Sequence, residues 1–321
     1  MVTSQQDPMV QAAIMYYLRD QTMSVIANQL GTSRSTVSRL LKRAKETGLI
    51  EITLHLEGTD QSGVSARLKT MFGVDAVVVP NAPVRGGSGE AATLEAVAKA
   101  AARLLPSWIE PHMTVGVAWG TTTAALARQV ETRPLPGTRF VQLNGAGNIT
   151  TTGLDYAGEI LSRLASAHGG TVVEFPVPAF FDYAATKAAM WRERTVRRVL
   201  QVQSQAAVAL FSVGALGGDL PSRVYSGAYL SSGDVAELER QHVAGDVATV
   251  FLRADGSHMG ISLNERASGP PPGQLKGIDR RVCMVASARK ATALLAALRA
   301  GLVTDLVMDR ATANELTAQL N

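Results

Sequence analysis

Beyond residue 73 two hydrophobic periods alternate, and this exchange restricts the fold of the 321-residue chain more than any other feature. Short apolar runs predict strands at 74–79, 114–118, 139–143, 171–175, 206–213, 248–252, 281–286 and 304–308. Between most of them, Ala/Leu-rich stretches repeat apolar residues at three- and four-residue spacing, predicting helices at 91–105, 122–130, 158–167, 186–200, 235–241, 290–300 and 312–320. Parallel neighbours require long crossovers, which helices supply. The pattern therefore predicts an α/β, doubly wound, mostly parallel sheet covered on both faces. Ligands of such sheets bind beyond the C-terminal ends of strands, where strand order reverses.

The first fifty residues follow another rule. Residues 23–48 read MSVIANQLGTSRSTVSRLLKRAKETG, a helix, a tight turn and a second helix. Ile26, Ala27 and Leu30 share one face of the first. Gly31 suits a left-handed turn, and Thr32 or Ser33 can cap the second helix. Val37, Leu40 and Leu41 form its buried stripe. A small residue at the crossing, a glycine in the turn and a branched apolar residue on the second helix are the needs of a helix-turn-helix. A helix at 8–20 precedes it, with Val10, Ile14, Tyr17 and Leu18 on one side. Residues 49–57, LIEITLHLE, alternate as a half-buried strand does and would form a wing or open a linker. GTDQSG has linker chemistry. The expected organisation is a DNA-binding domain at 1–57, a linker at 58–63 and a second domain at 64–321 that opens with a helix at 64–72.

Net charge is only +4, but residues 1–50 carry six Lys/Arg against three acids, whereas the other 271 residues carry 25 against 24. The excess sits where phosphates would be met, which argues against a plain amphipathic helix pair. Ser33, Arg34, Ser35, Thr36 and Arg39 are expected in the major groove, with Lys42, Arg43 and Lys45 on phosphates. The single cysteine, Cys283, lies in the apolar run VCMV and reads as a core thiol of a reducing compartment. There is no signal-peptide layout, and charges interrupt every apolar stretch short of membrane-spanning length, so a cytoplasmic protein is expected. The five histidines lack metal-ligand spacing, and no glycine-flanked serine reads as a nucleophile elbow; neither metal nor cofactor is expected.

Four strand ends could carry chemistry. In VGVAWGTTTAALA, Gly120 makes a turn and Thr121, Thr122 and Thr123 open a helix, either as an anion cradle or as a well-made cap. In VQLNGAGN, Asn144 and Gly145 follow a strand, where the amide would bond ligand hydroxyls or serve a turn. Asp246, expected just before the strand at 248–252, would accept from sugar hydroxyls or orient a loop. Lys290, in the first turn of a helix, opposes the helix dipole unless something anionic joins it; the alternative is a solvated lysine. Trp191-Arg-Glu-Arg and Arg197-Arg198 place a basic patch on one helix, read as a solvated or subunit-facing surface, with a second nucleic-acid contact as the alternative.

Over its whole length the chain resembles the SorC-type bacterial transcriptional regulators. The resemblance is carried by the helix-turn-helix, WGTTT at 119–123, VQLNGAG at 141–147, VPAFF at 177–181, VGALG at 213–217, GDVATVFLRADG at 245–256 and LLAALRAGLVTDLVMDRATA at 294–313. It implies an effector domain related to sugar-phosphate isomerases and deaminases but used for sensing. It also implies a sugar, polyol or sugar-phosphate effector, and a homodimer to homotetramer on double-stranded operator DNA. By motif position, Gly120, Thr121, Thr122 and Thr123 resemble the phosphate cradle, Asn144 and Gly145 the adjacent loop, Asp246 a hydroxyl acceptor and Lys290 a phosphate or hydroxyl contact. Members sensing deoxyribose phosphate have a Schiff-base lysine where this chain has Asn144, and an amide forms no imine. Ser287 and Ala288 replace glycines usual before Lys290, which narrows the approach to a phosphate there. An isomerase- or deaminase-like enzyme with an appended DNA module is the alternative. Asp246 is its one candidate base, and no catalytic residue is assigned.

Overall fold

The computed structural model describes residues 7–19, 21–49, 61–81, 89–215 and 222–320. The expected wing and linker fall largely on residues outside this set. Contacts divide the chain into two compact units, Met1–Thr59 and Asp60–Asn321.

The first unit contains α1 (Pro8–Tyr17), α2 (Met23–Gln29) and α3 (Arg34–Glu46). Asp7 caps α1 by accepting from the Met9 N–H, and Pro8 occupies the first turn, where its missing N–H costs nothing. The helix stops at Tyr17, short of the expected Asp20. Its buried residues are Ala12 and Ala13, whereas Leu18 is 78% exposed. Small side chains bring α1 close to its neighbours, so the larger apolar residues expected to face inward lie around the contact. Ala12, Ile26, Ala27, Val37 and Leu41 form the core. Gly31, at φ 62°, makes the left-handed turn between α2 and α3.

The second unit begins with α4 (Gln61–Phe72), β1 (Asp75–Val79), α5 (Gly89–Leu104), β2 (Thr114–Val117), α6 (Thr121–Gln129), β3 (Arg139–Gln142), α7 (Leu154–His168) and β4 (Thr171–Val173). It continues with α8 (Ala184–Met190), α9 (Arg194–Gln203), β5 (Ala206–Phe211), β6 (Val213–Gly214), α10 (Arg223–Ser226), α11 (Ser232–Arg240), β7 (Val243–Val247) and β8 (Val250–Arg253). The chain closes with α12 (Ser262–Arg266), α13 (Pro272–Lys276), β9 (Arg280–Val285), α14 (Ala291–Arg299), β10 (Asp305–Asp309) and α15 (Arg310–Gln319).

Seven strands form one parallel sheet in the order β1-β10-β9-β5-β2-β3-β4. Alternate residues feed two cores. Val115, Val117, Val208, Leu210, Val282 and Met284 pack under α5, α6 and α7. Ala209, Phe211, Cys283, Val285, Leu306 and Met308 pack under α4, α14 and α15. Burial pushes the Cys283 thiol up to about 12, leaving it an inert core side chain. From β2 the chain steps outward to β3 and β4, then returns to β5 on the other side. The crevice between β2 and β5 is therefore the switch point where ligands gather.

Three expectations are corrected. The strand at 248–252 is half of an antiparallel hairpin, β7–β8, which with β6 forms a second small sheet; Ala248 and Thr249 are its turn, at φ 48° and 71°. Asp246 consequently lies inside β7, not before a strand. The strand at 206–213 divides at Ser212 into β5 and β6. The helix at 186–200 is two helices, because Glu193 adopts extended geometry (ψ 138°) and the Trp191 ring is held edge-on between Phe175 and Phe181. The arginine-rich patch thus occupies the α8–α9 corner rather than one helix.

Candidate functional site

In the first unit, one face of α3 stands clear of the core. Ser33, Arg34, Ser35, Arg39, Lys42 and Arg43 are exposed, and Thr36 is half-buried. Ser33 is the cap: its Oγ accepts from the Thr36 N–H at 3.2 Å and shares hydrogen bonds with the Ser35 and Thr36 hydroxyls. Thr36 Oγ1 in turn accepts from Arg39 Nη2 at 3.4 Å. Val37 and Leu41 fix the opposite face in the core. A Ser33→Ala chain should lose about 0.5–2 kcal/mol of head stability, read as earlier melting of the N-terminal unit by hydrogen exchange, without loss of a charge on the exposed face.

In the second unit, the loops after β2, β3, β5 and β9 converge with the hairpin on one cavity. It is lined by Trp119, Gly120, Thr121, Thr122, Asn144, Ser212, Gly214, Ser222, Arg223, Asp246, Thr249 and Lys290, among others. Gly120 precedes α6 in extended geometry, and Thr122 Oγ1 donates to Ser212 Oγ at 3.3 Å across the switch point. Gly214 is required by close approach: a Cβ there would lie 2.0 Å from Asp246 Oδ1.

The electrostatics of this cavity are unusual. Asp246 is 5% exposed, with Oδ2 accepting from the Thr249 N–H at 3.1 Å and Oδ1 without a partner among the described residues. Burial raises its carboxyl to about 6, opposed by the Thr249 N–H, Lys290 and Tyr225. Burial also holds the Lys290 ammonium below the lysine range against the attraction of Asp246. Asn144 is 1% exposed and its Oδ1 is likewise unpartnered among the described residues. Two buried acceptor atoms without a hydrogen bond, beside the equally unpartnered Tyr225 hydroxyl, leave hydrogen-bonding capacity unused in a cavity that also holds two cations. The Arg223 guanidinium is held 3.8 Å over the Tyr156 ring. The free volume is about 40 Å³, far below the roughly 300–1,000 Å³ of ligand pockets, so a ligand must displace part of the wall.

A groove of about 920 Å³ lies on the other side of the β3–α7 loop, lined by Ile149, Phe180, Tyr183, Met190, Tyr229 and Arg266 among others. Two of its three charged groups are matched to each other, Arg266 Nη2 donating to Asp234 Oδ1 at 2.6 Å, and the third, Asp182, is exposed to solvent. Size favours the groove, but unmatched polar chemistry favours the cavity, and polar chemistry gives a pocket its specificity.

The "Putative sugar-binding domain" family model matches residues 57–318, and the Crp-like helix-turn-helix model matches residues 17–61. The chain belongs to the SorC-type family of transcriptional regulators. It is 28% identical to the deoxyribonucleoside regulator of Bacillus subtilis (strain 168) over 97% of both chains. A domain of a "possible sugar-binding transcriptional regulator" from Arthrobacter aurescens TC1 is 46% identical, with TM-score 0.73, over 79% of this chain and 96% of that one. The full-length sorbitol operon regulator SorC from Klebsiella pneumoniae shares the fold, with 24% identity and TM-score 0.80 over 96% of this chain and 97% of its own.

In this SorC-type chain, Gly120, Thr121, Thr122, Asn144, Asp246 and Lys290 meet in the cavity, but Thr123 and Gly145 do not line it. The Thr123 hydroxyl donates to the Ala118 carbonyl at 2.9 Å and ties α6 to β2. Gly145 donates to Ser268 Oγ, accepts from Trp119 Nε1, and has the Val177 carbonyl 2.3 Å from any added Cβ. Both are framework. Lys290 is half-buried at the start of α14, not solvated. Ser287 points elsewhere, its Oγ donating to Glu90 Oε1 at 3.3 Å. Arg223, Ser212, Ser222 and Thr249 were not foreseen. Arg223 sits in a polar stretch with no strand before it, and only the fold brings it to the switch point.

Proposed function

We propose that this regulator senses a sugar, polyol or sugar phosphate in the β2/β5 cavity and uses α3 to read operator DNA, the effector biasing the DNA-bound state. The observation that carries the reading is the pair of buried, unpartnered acceptors, Asp246 Oδ1 and Asn144 Oδ1, in one cavity with Arg223 and Lys290. Adjacent hydroxyls on a carbon chain answer the acceptors. An anionic group answers the cations and the N–H groups at the start of α6. The names of its relatives, a deoxyribonucleoside regulator and a sorbitol operon regulator, are in keeping with such an effector. Ser33, Arg34, Ser35, Thr36 and Arg39 are assigned to base edges, and Lys42 and Arg43 to phosphates. A homodimer to homotetramer in the cytoplasm, binding paired half-sites, completes the reading.

The enzyme alternative is weaker. Asp246 is the one carboxylate lining the cavity among the described residues, and no second carboxylate or histidine lines it. A thermal-shift panel of free and phosphorylated sugars and polyols tests the proposal. At a hundredfold excess over Kd, the effector should raise Tm by about 5–10 °C, since native-state binding then stabilises by about 2.7 kcal/mol. No shift across the panel removes the effector reading, and turnover of any member restores the enzyme.

A further inference from the structure

We propose that the α8–α9 corner of the sugar-binding domain is a second phosphate-binding surface, which takes the backbone of duplex DNA in addition to the contacts made by α3.

Arg192, Arg194, Arg197 and Arg198 fall within seven residues and all four are exposed. None of them makes a hydrogen bond or ion pair with a carboxylate among the described residues, although one acid, Glu193, stands in their midst. Beyond residue 50 the chain is close to neutral, with 25 basic side chains, these four arginines included, against 24 acidic ones. The corner is therefore a local concentration of charge, not a sample of a basic surface. Its placement is also electrostatically unfavourable for the isolated fold. Arg194 opens α9, and Arg197 and Arg198 follow within its first five residues, where the helix end already carries partial positive charge. An anion would relieve both.

The row is rigid. Arg194, Arg197 and Arg198 are three and four residues apart, so they share one face. The opposite face is locked: Val196 is buried with Phe175, Val177 and Phe181, and Trp191 packs edge-on against both phenylalanines. At the far end of α9, Gln203 Nε2 donates to the Gln142 carbonyl at 2.7 Å, tying the helix to the end of β3. Arginine alone, without lysine, suits planar, bidentate recognition of phosphate oxygens. In a protein that binds DNA, a second basic surface meets the duplex at high local concentration, so few contacts suffice. These features favour a polyanion of regular spacing over an acidic protein.

The test uses the full chain with Arg194→Gln, Arg197→Gln and Arg198→Gln combined, and a companion with lysine at the same three positions. Binding is measured by anisotropy against salt, on a duplex confined to the operator and on one extended at both ends. For the extended duplex, the slope of log K against log salt should fall by about 1–3 in the glutamine variant, because each lost phosphate contact removes about 0.9. The lysine variant should retain most of the slope. The preference for operator over scrambled sequence and the mass by light scattering should not change. An unchanged slope overturns the proposal. So does an altered mass, which would make the corner a contact with a second copy of the chain. Unaltered wild-type binding on the short duplex keeps a failure here separate from a failure of α3.

Discussion

Operator binding by the full chain should weaken roughly 10³–10⁵-fold between 50 and 200 mM salt, if about 6–10 phosphates are neutralised. The argument begins with where the charge lies. Arg34, Arg39, Lys42 and Arg43 are exposed on the one helix whose other face is fixed by Val37 and Leu41. Within that set the variants should separate. Arg34→Ala with Arg39→Ala should cost about 1–3 kcal/mol for each lost base contact and relax the sequence preference. Lys42→Ala with Arg43→Ala should weaken all duplexes alike and flatten the salt slope. Binding indifferent to salt, or the same loss on every sequence for both pairs, would sink the assignment of α3.

The second large effect concerns Asp246. Because burial raises its carboxyl to about 6, the unliganded fold is favoured by the protonated form. The contribution is fully present below about pH 4 and is lost as pH rises through about 6. Effector hydroxyls prefer the ionised form, so the binding constant should run the other way: strongest above pH 7 and falling as pH drops through 6. Asp246→Asn should weaken the effector roughly 10–10²-fold at pH 7.5, the worth of a hydrogen bond to a charged acceptor. It should also abolish that pH dependence. Calorimetric titration at pH 5 and 7.5 reads both effects, and a wild-type affinity flat across this interval would exclude the carboxylate as an acceptor. A site that keeps a charge out of water before its ligand arrives gives up stability for responsiveness.

The two hydrophobic periods told the fold class, because both cores are filled by alternate residues of central strands and by one face of each helix. The strand ends told much of the cavity: Gly120, Thr121, Thr122, Asn144 and Lys290 all follow strands of the sheet. The α8–α9 break was illegible because neither glycine nor proline marks it; the seat of the Trp191 ring between two phenylalanines, far apart in mechanism from local propensity, bends the chain. The β7–β8 turn was illegible for a similar reason. Ala248 and Thr249 are poor left-handed residues, and VATVFL reads as one strand. Tertiary contacts impose the turn: Asp246 Oδ2 accepts from the Thr249 N–H, and Gly269 sits so close that an added Cβ would lie 1.8 Å from the Ala248 carbonyl. Arg223 and Ser222 come from a segment with no periodic signal. Thr123 and Gly145 lie outside the cavity lining, since a hydroxyl or a glycine at a strand end serves the framework as readily as a ligand.

The cavity of about 40 Å³ has room for a few waters, each needing roughly 10–15 Å³ of such space, and not for a sugar. A metabolite cannot simply diffuse in. Where entry needs the walls to part, capture should run slower than collision, and departure should wait on the same event. Such a receptor should answer to sustained supply rather than to brief swings in metabolite concentration, which would be read as an association rate that levels off as effector is added.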